Sequence, residues 1–342
     1  MKIVPTIKIT DFNNLKQALY KFSKYDIEMI RFVVTRHSVK DHINFIKLAQ
    51  KIYVEIAEKR LKLMLDIPCP KDKLRFEFLN DEENVYLQKG DEIKMINNKD
   101  LHIDKASKTF LVSGSFENKV PEVAIIGDGE LLIKITKIDK EVINGVCMNS
   151  AEIKKGKAIA SPSGFLKTTD IEITNKVLEI ITTLRPEICV FSYIENKFDI
   201  LNFKKLIYKH ANYLPHIMSK IECQEAVNNV DSIIDNSESI MIARGCLAVN
   251  VGFENMIEAQ DIIITECLKK RKDVCIASNI LRSLNIQNCP SRADVVDLFY
   301  MIIKGINWFV ITDGFCMEEK FDNFMYFMRN IYFKYSIGDN NA

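Results

Sequence analysis

Ser239-Ile240-Met241-Ile242-Ala243-Arg244 is a short apolar run that ends in a charged residue. A continuous apolar run of this length is typical of a strand that is buried on both faces, as in a parallel sheet. Helical spacing of apolar side chains follows the run. The positions that share this helical face are Phe253, Met256, Ile257, Ile263, Ile264, Cys267 and Leu268. The stretch therefore predicts a buried strand followed by a helix.

The same strand-then-helix pattern recurs along the chain. A second helical face is predicted at Ile43, Ile46, Ala49, Gln50 and Tyr53. Eight such units predict an α/β fold, a (β/α)8 barrel of the TIM type. The other apolar runs are Lys2–Ile7, Met29–Val34, Leu61–Asp66, Cys189–Tyr193, Ile217–Ile221, Asp273–Ser278 and Trp308–Thr312.

The interval between the third and fourth runs is too long for one crossover helix. Residues from about Lys71 to Lys155 show two-residue alternation, as in Leu131–Ile138, and are interrupted by turn signals. We therefore predict a small β-barrel domain inserted after strand three, placed to act as a lid over the barrel mouth. The predicted bounds are 71–155 for the lid domain and 1–70 and 156–342 for the two parts of the large barrel. The turn signals are Lys89-Gly90-Asp91, Gly127-Asp128-Gly129 and Asn144-Gly145.

Composition limits the class of protein. The 342 residues carry 47 Lys and Arg against 46 Asp and Glu, and this balance does not favour a nucleic-acid or membrane surface. No run reaches the roughly eighteen apolar residues of a membrane helix, and the N-terminus has no apolar segment of the kind found in signal peptides. The nine cysteines are scattered without a CxxC pair, so we expect reduced, buried cysteines in a cytoplasmic protein.

Charged and hydroxyl side chains stand at the predicted carboxyl ends of the barrel strands. In barrels of this type the chemistry lies at those ends. Each residue alone has a structural alternative, because an Asp, Ser or Thr after a strand is often the N-cap of the next helix. The set as a whole favours a functional site. Its members are Arg31, Asp66, Ser192, Lys220, Glu222, Arg244, Ser278 and Thr312.

Several motifs at these positions resemble those of the pyruvate kinases. Ser219-Lys220-Ile221-Glu222 and Ile240–Leu247 are similar to the family's K-I-E and I-M-V-A-R-G-D-L. The resemblance runs in the same order from Lys2 to about Thr312. The remaining matching segments are Leu65–Lys71, Lys155-Gly156, Ser192-Tyr193-Ile194, and Pro290–Asp294 with Asp297.

The resemblance implies phosphoryl transfer from phosphoenolpyruvate to ADP, giving pyruvate and ATP, the last step of glycolysis. Lys220, Arg31 and Ser278 would be the catalytic residues: Lys220 would hold the transferring phosphoryl group, Arg31 would bind phosphate, and Ser278 would stand near the proton-delivery site. Glu222 and Asp66 would be ligands of Mg²⁺ or Mn²⁺, which prefer oxygen.

The resemblance also implies binding residues for the two substrates. Phosphoenolpyruvate would contact Ala243, Arg244 and Gly245, where free backbone N–H groups at a helix start can receive a carboxylate. Lys71 would also lie at the substrate site. In the inserted domain, Lys155 and Asp128 match positions near the nucleotide.

The chain departs from the family at a metal ligand. Cys246 replaces the second carboxylate that holds the divalent cation, and a thiol is a poor ligand for Mg²⁺. Two further positions differ: Arg36 replaces a His, and Ala158 replaces an Asn near the nucleotide. These changes leave open an alternative function, a catalytically weakened or inactive paralogue that serves as a partner subunit.

The family's K⁺ site is also altered. Val33 and Thr35 replace an Asn and a Ser, and Ile67 replaces a Thr. Lys71 stands where K⁺-dependent members have Glu, and its ammonium group can supply the missing positive charge. The resemblance therefore predicts that K⁺ is not required.

We also expect the family's C-terminal regulatory domain to be absent, since Gly314–Ala342 follows the last predicted strand. We expect no control by sugar phosphates. We expect assembly through barrel contacts, either as a homodimer or as a hetero-oligomer with an intact paralogue. A third reading, an aldolase-like barrel that uses phosphoenolpyruvate or pyruvate, is weakened by the inserted domain. Apolar side chains in this tail have helical spacing, at Phe321, Phe324, Phe327, Met328 and Tyr332.

Overall fold

The computed structural model describes most of the chain. The described residues are 1–34, 37–68, 71–72, 75–78, 83–96, 108–113, 122–139, 142–161, 168–169, 171–311 and 320–336.

Strands and helices alternate at the start of the chain. These elements are β1 (Lys2–Ile7), a 3₁₀ helix (Ile9–Asn14), α1 (Leu15–Lys24), β2 (Met29–Val33), α2 (Val39–Ala57) and β3 (Lys62–Ile67). Among the described residues of the next hundred positions, only strands follow. They are β4 (Lys71–Asp72), β5 (Arg75–Glu77), β6 (Asn84–Leu87), β7 (Glu92–Ile96), β8 (Lys108–Ser113), β9 (Val123–Ile126), β10 (Leu131–Asp139), β11 (Val142–Cys147), β12 (Ala151–Lys154), β13 (Lys157–Ala160) and β14 (Thr168–Thr169).

Alternation then resumes. The elements are α3 (Ile171–Leu184), β15 (Ile188–Phe191), α4 (Lys197–Ala211), β16 (His216–Ile221), α5 (Gln224–Asn228), α6 (Val230–Asn236), β17 (Ser239–Ala243), α7 (Arg244–Val251), a 3₁₀ helix (Phe253–Asn255), α8 (Met256–Lys269), β18 (Asp273–Ala277), a 3₁₀ helix (Arg282–Asn285), α9 (Arg292–Ile303), β19 (Trp308–Ile311) and α10 (Phe321–Tyr335).

Eight parallel strands of the described chain close into a barrel in the order β1-β19-β18-β17-β16-β15-β3-β2. The predicted (β/α)8 barrel is therefore confirmed, and each predicted run agrees with its strand to within two residues at either end. The apolar residues of the runs are continuous because one set of side chains fills the barrel and the alternate set faces the helices. The interior is filled by side chains such as Val4, Met64, Met218, Met241 and Val310.

A second, antiparallel-rich barrel is built from the inserted strands. Its order is β10-β11-β7-β8-β5-β13-β9, and it has its own buried core. This confirms the predicted small β-barrel. The compact unit that contains it comprises Pro70–Ile171 and Cys246–Ile257. Because β13 (Lys157–Ala160) pairs with β5 and β9, the small barrel includes residues beyond position 155; the domain bounds given above stay a prediction.

One predicted turn is wrong. Asn144-Gly145 lies inside β11, where Gly145 pairs with Ile135 and Ile93. A Cβ atom at Gly145 would lie 2.5 Å from Cγ2 of Ile133. Glycine is therefore required here by a close approach within the sheet, beside a register shift in β10, and not by a turn.

The predicted face of the helix after β17 is only partly correct. Phe253 belongs to a separate 3₁₀ helix, so it does not continue the periodicity of α8. Phe253, Ile257 and Leu268 are exposed. The buried side chains of α8 are Ala259, Gln260, Ile263, Ile264 and Cys267.

Helix α10 packs against α1. The ring centroids of Phe22 and Phe321 lie 5.2 Å apart, and the Tyr25 hydroxyl donates to Asp322 at 2.5 Å. Lys24 Nζ donates to the same carboxylate at 2.9 Å. The helix predicted from the spacing of the tail is thus present, with Phe321, Phe324, Met325 and Met328 buried.

The cysteines are mostly buried, as expected, but not all. Cys289 is exposed and Cys246 is half-buried, while Cys69 and Cys316 lie outside the described residues. Burial raises the pKa of Cys147 to about 11, so its thiol stays protonated at neutral pH. No helix in the described part of the chain has the length and apolar character needed to cross a membrane.

Candidate functional site

The charged strand ends meet in one compact unit, which comprises Met1–Cys69, Glu172–Gly245 and Glu258–Ala342. Arg31 lies on β2 and Asp66 on β3, while Lys220 lies on β16. Ser192 follows β15 directly. Parallel strands with this register bring the four side chains to the same end of the barrel.

Lys220 and Asp66 form a buried ion pair. Lys220 Nζ lies 2.8 Å from Asp66 Oδ1 and 3.0 Å from Oδ2. The ammonium group also donates to Ser192 Oγ at 3.0 Å, and that hydroxyl donates to Asp66 Oδ1 at 3.1 Å. The lysine is thereby held at the strand ends with little solvent around it.

Arg31 is the second cation on the same carboxylate. Its Nη1 donates to Asp66 Oδ2 at 2.9 Å, and the arginine and aspartate side chains are 13% and 6% exposed. The opposite edge of the guanidinium donates from Nε to Thr6 Oγ1 at 2.8 Å. Asp66 is therefore shared by two cations, and the three groups together carry one excess positive charge.

The ionised form of Asp66 is strongly favoured. Burial alone would raise the pKa of this carboxyl, but the charges of Lys220 and Arg31 and the hydrogen bonds outweigh it and hold the pKa below its usual value. Both carboxylate oxygens are engaged with side-chain donors. Asp66 is thus the counter-ion of Lys220 and Arg31, and its role as a metal ligand stays a prediction.

Glu222 lies two residues after Lys220, at the end of β16. It is 3% exposed, and its Oε2 accepts a hydrogen bond of 2.7 Å from the backbone N–H of Tyr193. Tyr193 has φ 56°, which turns its backbone at the end of β15. A buried carboxylate oriented in this way suits a hard divalent cation, which often takes one or two carboxylates and completes its shell with substrate oxygens and water.

A cluster of possible metal ligands lies next to Glu222. Within the described residues, Glu195, Cys223 and Glu225 place their ligand atoms within 4.8 Å of one another. Glu222 and Asp66 do not belong to this cluster. The roles of Glu222 and Asp66 as metal ligands therefore remain predictions.

Arg244, predicted to bind substrate, is held by the protein itself. Its Nη1 lies 2.6 Å from Asp297 Oδ1, and its Nη2 donates to the backbone carbonyl of Ser278 at 2.9 Å. Ser278 has φ 83°, a conformation that a residue other than glycine adopts at a cost of about 1–3 kcal/mol. The buried guanidinium thus stabilises the turn that carries the predicted catalytic Ser278.

Helix α7 begins at Arg244, where a helix start was expected. The first backbone N–H groups of a helix have no partner within it, so those of Arg244 and Gly245 are suited to an anion. Cys246 follows in the same helix and belongs to the other compact unit. Its carbonyl accepts a hydrogen bond of 2.7 Å from Asn250 Nδ2.

The predicted nucleotide residues both lie in the unit of the small barrel. Asp128 occupies the turn between β9 and β10, and its N–H donates to Glu130 at 2.7 Å. Lys155 precedes β13, and both side chains are exposed. Gly127 N–H bonds to the carbonyl of Ala158 at 2.8 Å, which brings the turn beside the start of β13.

Some predicted positions cannot be placed. Thr35, Arg36 and Thr312 lie outside the described residues, and of Lys71 the structure describes only the backbone, in β4. Val33 and Ile67 lie at the carboxyl ends of β2 and β3 and carry no side-chain oxygen.

Thr6 was not predicted from the sequence to belong to the site. It gave no signal beyond being the one hydroxyl in the run Lys2–Ile7, yet it is paired in register with Arg31. A polar residue near the carboxyl end of a barrel strand, next to a predicted site residue, is the pattern that could have identified it. The role of Asp297 as partner of Arg244 was missed for a similar reason, since the two residues are 53 positions apart.

The comparisons agree with this architecture. A family model described as "Pyruvate kinase, barrel domain" matches residues 1–314. A probable cytosolic pyruvate kinase of Arabidopsis thaliana is 28% identical over 255 residues, which cover 73% of this chain and 51% of the relative. The pyruvate kinase of Borreliella burgdorferi is 26% identical over 315 residues, covering 91% of this chain and 63% of the relative.

The fold is shared with a solved structure. The crystal structure of Cryptosporidium parvum pyruvate kinase superposes with a TM-score of 0.79 at 20% identity, and the match covers 97% of this chain and 69% of that one. The chain spans about half to two thirds of the length of these relatives. With the family model covering almost the whole barrel, this chain belongs to the pyruvate kinase family, as the motifs at its strand ends predicted.

Proposed function

We propose that this protein transfers the phosphoryl group of phosphoenolpyruvate to ADP, giving pyruvate and ATP. The observation that carries the proposal is the arrangement of Lys220, Arg31 and Asp66. Two cations converge on one carboxylate at the catalytic end of the barrel, and they leave an excess positive charge in a site with little water. Fixed charges in such a place stabilise the negative charge that develops during phosphoryl transfer.

Each residue has a distinct part in this proposal. Lys220 contacts the transferring phosphoryl group and the enolate oxygen, and Arg31 binds phosphate through a guanidinium that is always charged. Asp66 orients both cations before substrate arrives. The N–H groups of Arg244 and Gly245, next to Ala243 at the start of α7, receive the substrate carboxylate. Ser278 lies near the point of proton delivery.

Mg²⁺ or Mn²⁺ is the cofactor in this proposal. Glu222 would hold it, with substrate oxygens in place of the carboxylate that Cys246 has replaced. When bound, such an ion neutralises charge on the phosphoryl oxygens. The donor chemistry fits one hard cation held more weakly than by two carboxylates.

K⁺ is not required in this proposal. Val33 and Ile67 offer no side-chain oxygen for a monovalent cation, and the ammonium group of Lys71 would supply the positive charge in its place. Lys155 and Asp128 bind the nucleotide, with Lys71–Lys155 acting as a lid domain. We further propose a cytoplasmic protein that assembles through barrel contacts as a homodimer.

A second function is favoured by Cys246. Loss of an anionic metal ligand is what a non-catalytic paralogue would show, and such a chain would act as the partner of an intact subunit. Binding of phosphoenolpyruvate without turnover would be its signature.

The experiment is a coupled assay of pyruvate formation with Mg²⁺ and with Mn²⁺, each in K⁺ and in tetramethylammonium at equal ionic strength. Lys220→Gln should lower kcat by about 10²–10³-fold, while Lys205→Gln, on the exposed face of α4, should match the parent. Equal rates in the two monovalent cations would support K⁺ independence. A parent rate no higher than that of Lys220→Gln with either metal would overturn the catalytic proposal; calorimetry with phosphoenolpyruvate would then test the partner function.

A further inference from the structure

Thr6 connects the candidate site to the closure of the large barrel. The residue is 1% exposed, near the carboxyl end of β1. Its hydroxyl donates to the carbonyl oxygen of Ile311 on β19 at 2.6 Å. The same hydroxyl oxygen accepts the Nε–H of Arg31 on β2 at 2.8 Å. One side chain thus bridges the strands on either side of β1.

Only one orientation of the Thr6 hydroxyl satisfies both hydrogen bonds. A threonine hydroxyl has one proton and two acceptor lone pairs. Because the proton is directed at Ile311, a lone pair faces Arg31, whose Nε–H has no choice of direction within the planar guanidinium. A buried bond of this kind also becomes stronger when its acceptor is polarised by a second hydrogen bond.

Two anchors fix the plane of the guanidinium. Nε is held by Thr6 on one edge, and Nη1 is held by Asp66 at 2.9 Å on the other. Asp66 alone would let the group rotate about the Nη1 contact. The additional bond at Nε removes that rotation and determines where the remaining N–H groups of Arg31 point.

We propose that Thr6 is a positioning residue for phosphoenolpyruvate, acting through Arg31. The inference rests on the proposed function, in which Arg31 binds the substrate phosphate. Thr6 itself does not touch substrate. It presets the arginine, so that no rotational freedom has to be lost when the phosphate binds.

The test compares variants that keep or remove the hydroxyl. Thr6→Val keeps the shape but not the bonds, and Thr6→Ser keeps the bonds. We expect Thr6→Val to lower kcat/KM about tenfold or more, through a higher KM for phosphoenolpyruvate with an unchanged KM for ADP. Thr6→Ser should stay within about threefold of the parent. If Thr6→Val does not fold, Thr6→Ala removes the same hydroxyl without pressing a methyl group against Ile311.

Coupling to Arg31 separates positioning from a general structural role. Lysine has no counterpart of Nε–H, so in an Arg31→Lys background the Thr6→Val effect on phosphoenolpyruvate affinity should disappear. The proposal would be overturned if Thr6→Val lowered phosphoenolpyruvate affinity by the same factor in both backgrounds. It would also be overturned if the KM values for phosphoenolpyruvate and for ADP rose equally.

A readout without turnover tests the contact between Thr6 and Arg31 separately from the proposed function. The Nε–H signal of Arg31, assigned by its loss in Arg31→Lys, should exchange with water at least about tenfold faster in Thr6→Val than in the parent and Thr6→Ser. Unchanged exchange would refute the role of Thr6. Faster exchange in Thr6→Val, together with a parent protein that binds no phosphoenolpyruvate, would refute the proposed function alone.

Discussion

At the scale of single residues, Asp66 is the centre of the site. It faces two cations and a hydroxyl, and its side chain is 6% exposed. Removing one partner of a buried charge cluster leaves the others without compensation. The stability of the large barrel and the orientation of the two cations in the site therefore depend on the same carboxylate.

We expect Asp66→Asn to lower the free energy of unfolding by about 3–5 kcal/mol at pH 7. The folded-state pKa of Asp66 lies below that of the unfolded chain, so its contribution is fully present above the unfolded pKa and is lost as pH falls through the folded pKa. The difference between parent and variant should begin to shrink below about pH 5. Urea unfolding between pH 7 and pH 3.5 measures this.

The control is Asp273→Asn, which breaks an exposed ion pair with Lys2 in the same barrel. An exposed pair of this kind contributes about 0–1 kcal/mol. A gap between parent and Asp66→Asn that stays constant or widens in acid would contradict the expectation.

Cys246 gives a second prediction at this scale. The family resemblance places a carboxylate ligand there, so Cys246→Asp should restore a hard anionic donor. One charge-assisted ligand is worth about 1–3 kcal/mol, which corresponds to about one to two orders of magnitude in apparent Mg²⁺ affinity. The rise in melting temperature with added Mg²⁺ measures this gain in affinity.

The control is Cys289→Asp, at an exposed cysteine, which should respond to Mg²⁺ as the parent does. An identical response of the parent, Cys246→Asp and Cys289→Asp would argue that position 246 does not limit metal binding.

How far the sequence predicts the site depends on the kind of contact. Lys220, Asp66 and Arg31 were identifiable because charged residues at the end of apolar runs are unusual and because the motifs are specific. Their pairing could not be predicted from the sequence, because Lys220 and Asp66 are 154 positions apart and only barrel closure brings them together. Thr6 had no sequence signal of its own for the same reason.

At the scale of elements, α10 is fixed to the barrel by α1. The buried face of α10 includes Phe321, which lies against Phe22 and Tyr25. Phe333, on the same helix, is 68% exposed. The helix therefore contains a matched pair of aromatic residues with opposite surroundings.

We expect Phe321→Ala to lower the free energy of unfolding by about 3–5 kcal/mol, because it leaves a cavity in a packed core. Phe333→Ala should change it by about 0.5 kcal/mol or less. Urea unfolding of the two variants and the parent checks this. Equal losses would mean that α10 is not packed as the structure has it.

The elements also show where sequence patterns stop being informative. Buried parallel strands could be predicted to within two residues because both faces must be apolar. Asn144-Gly145 was predicted as a turn because the dipeptide favours turns, but here tertiary packing against Ile133 explains the glycine. The face of α8 was misjudged because the 3₁₀ helix before it changes the periodicity.

At the scale of the whole molecule, the chain folds as two compact units with separate cores. Unfolding of such a chain need not be a single transition. Ile133 is fully buried in the small barrel, and Phe321 is fully buried in the compact unit that contains the large barrel. The two residues therefore report on different units.

We expect Ile133→Ala, which costs about 2–5 kcal/mol in its core, to lower one calorimetric transition and leave the other in place. Phe321→Ala should do the reverse. A single transition that both substitutions shift alike would show that the units unfold together.

The bond from Thr6 to Ile311 joins residues 305 positions apart, on the first and last strands of the large barrel. It forms only when β1 and β19 lie side by side. If this bond between β1 and β19 orients Arg31, affinity for a phosphorylated substrate is acquired late in folding, when the barrel closes. A chain still emerging from the ribosome would then lack this orientation of Arg31 until β19 was free to pair with β1, and tight substrate binding would report that the ring had closed.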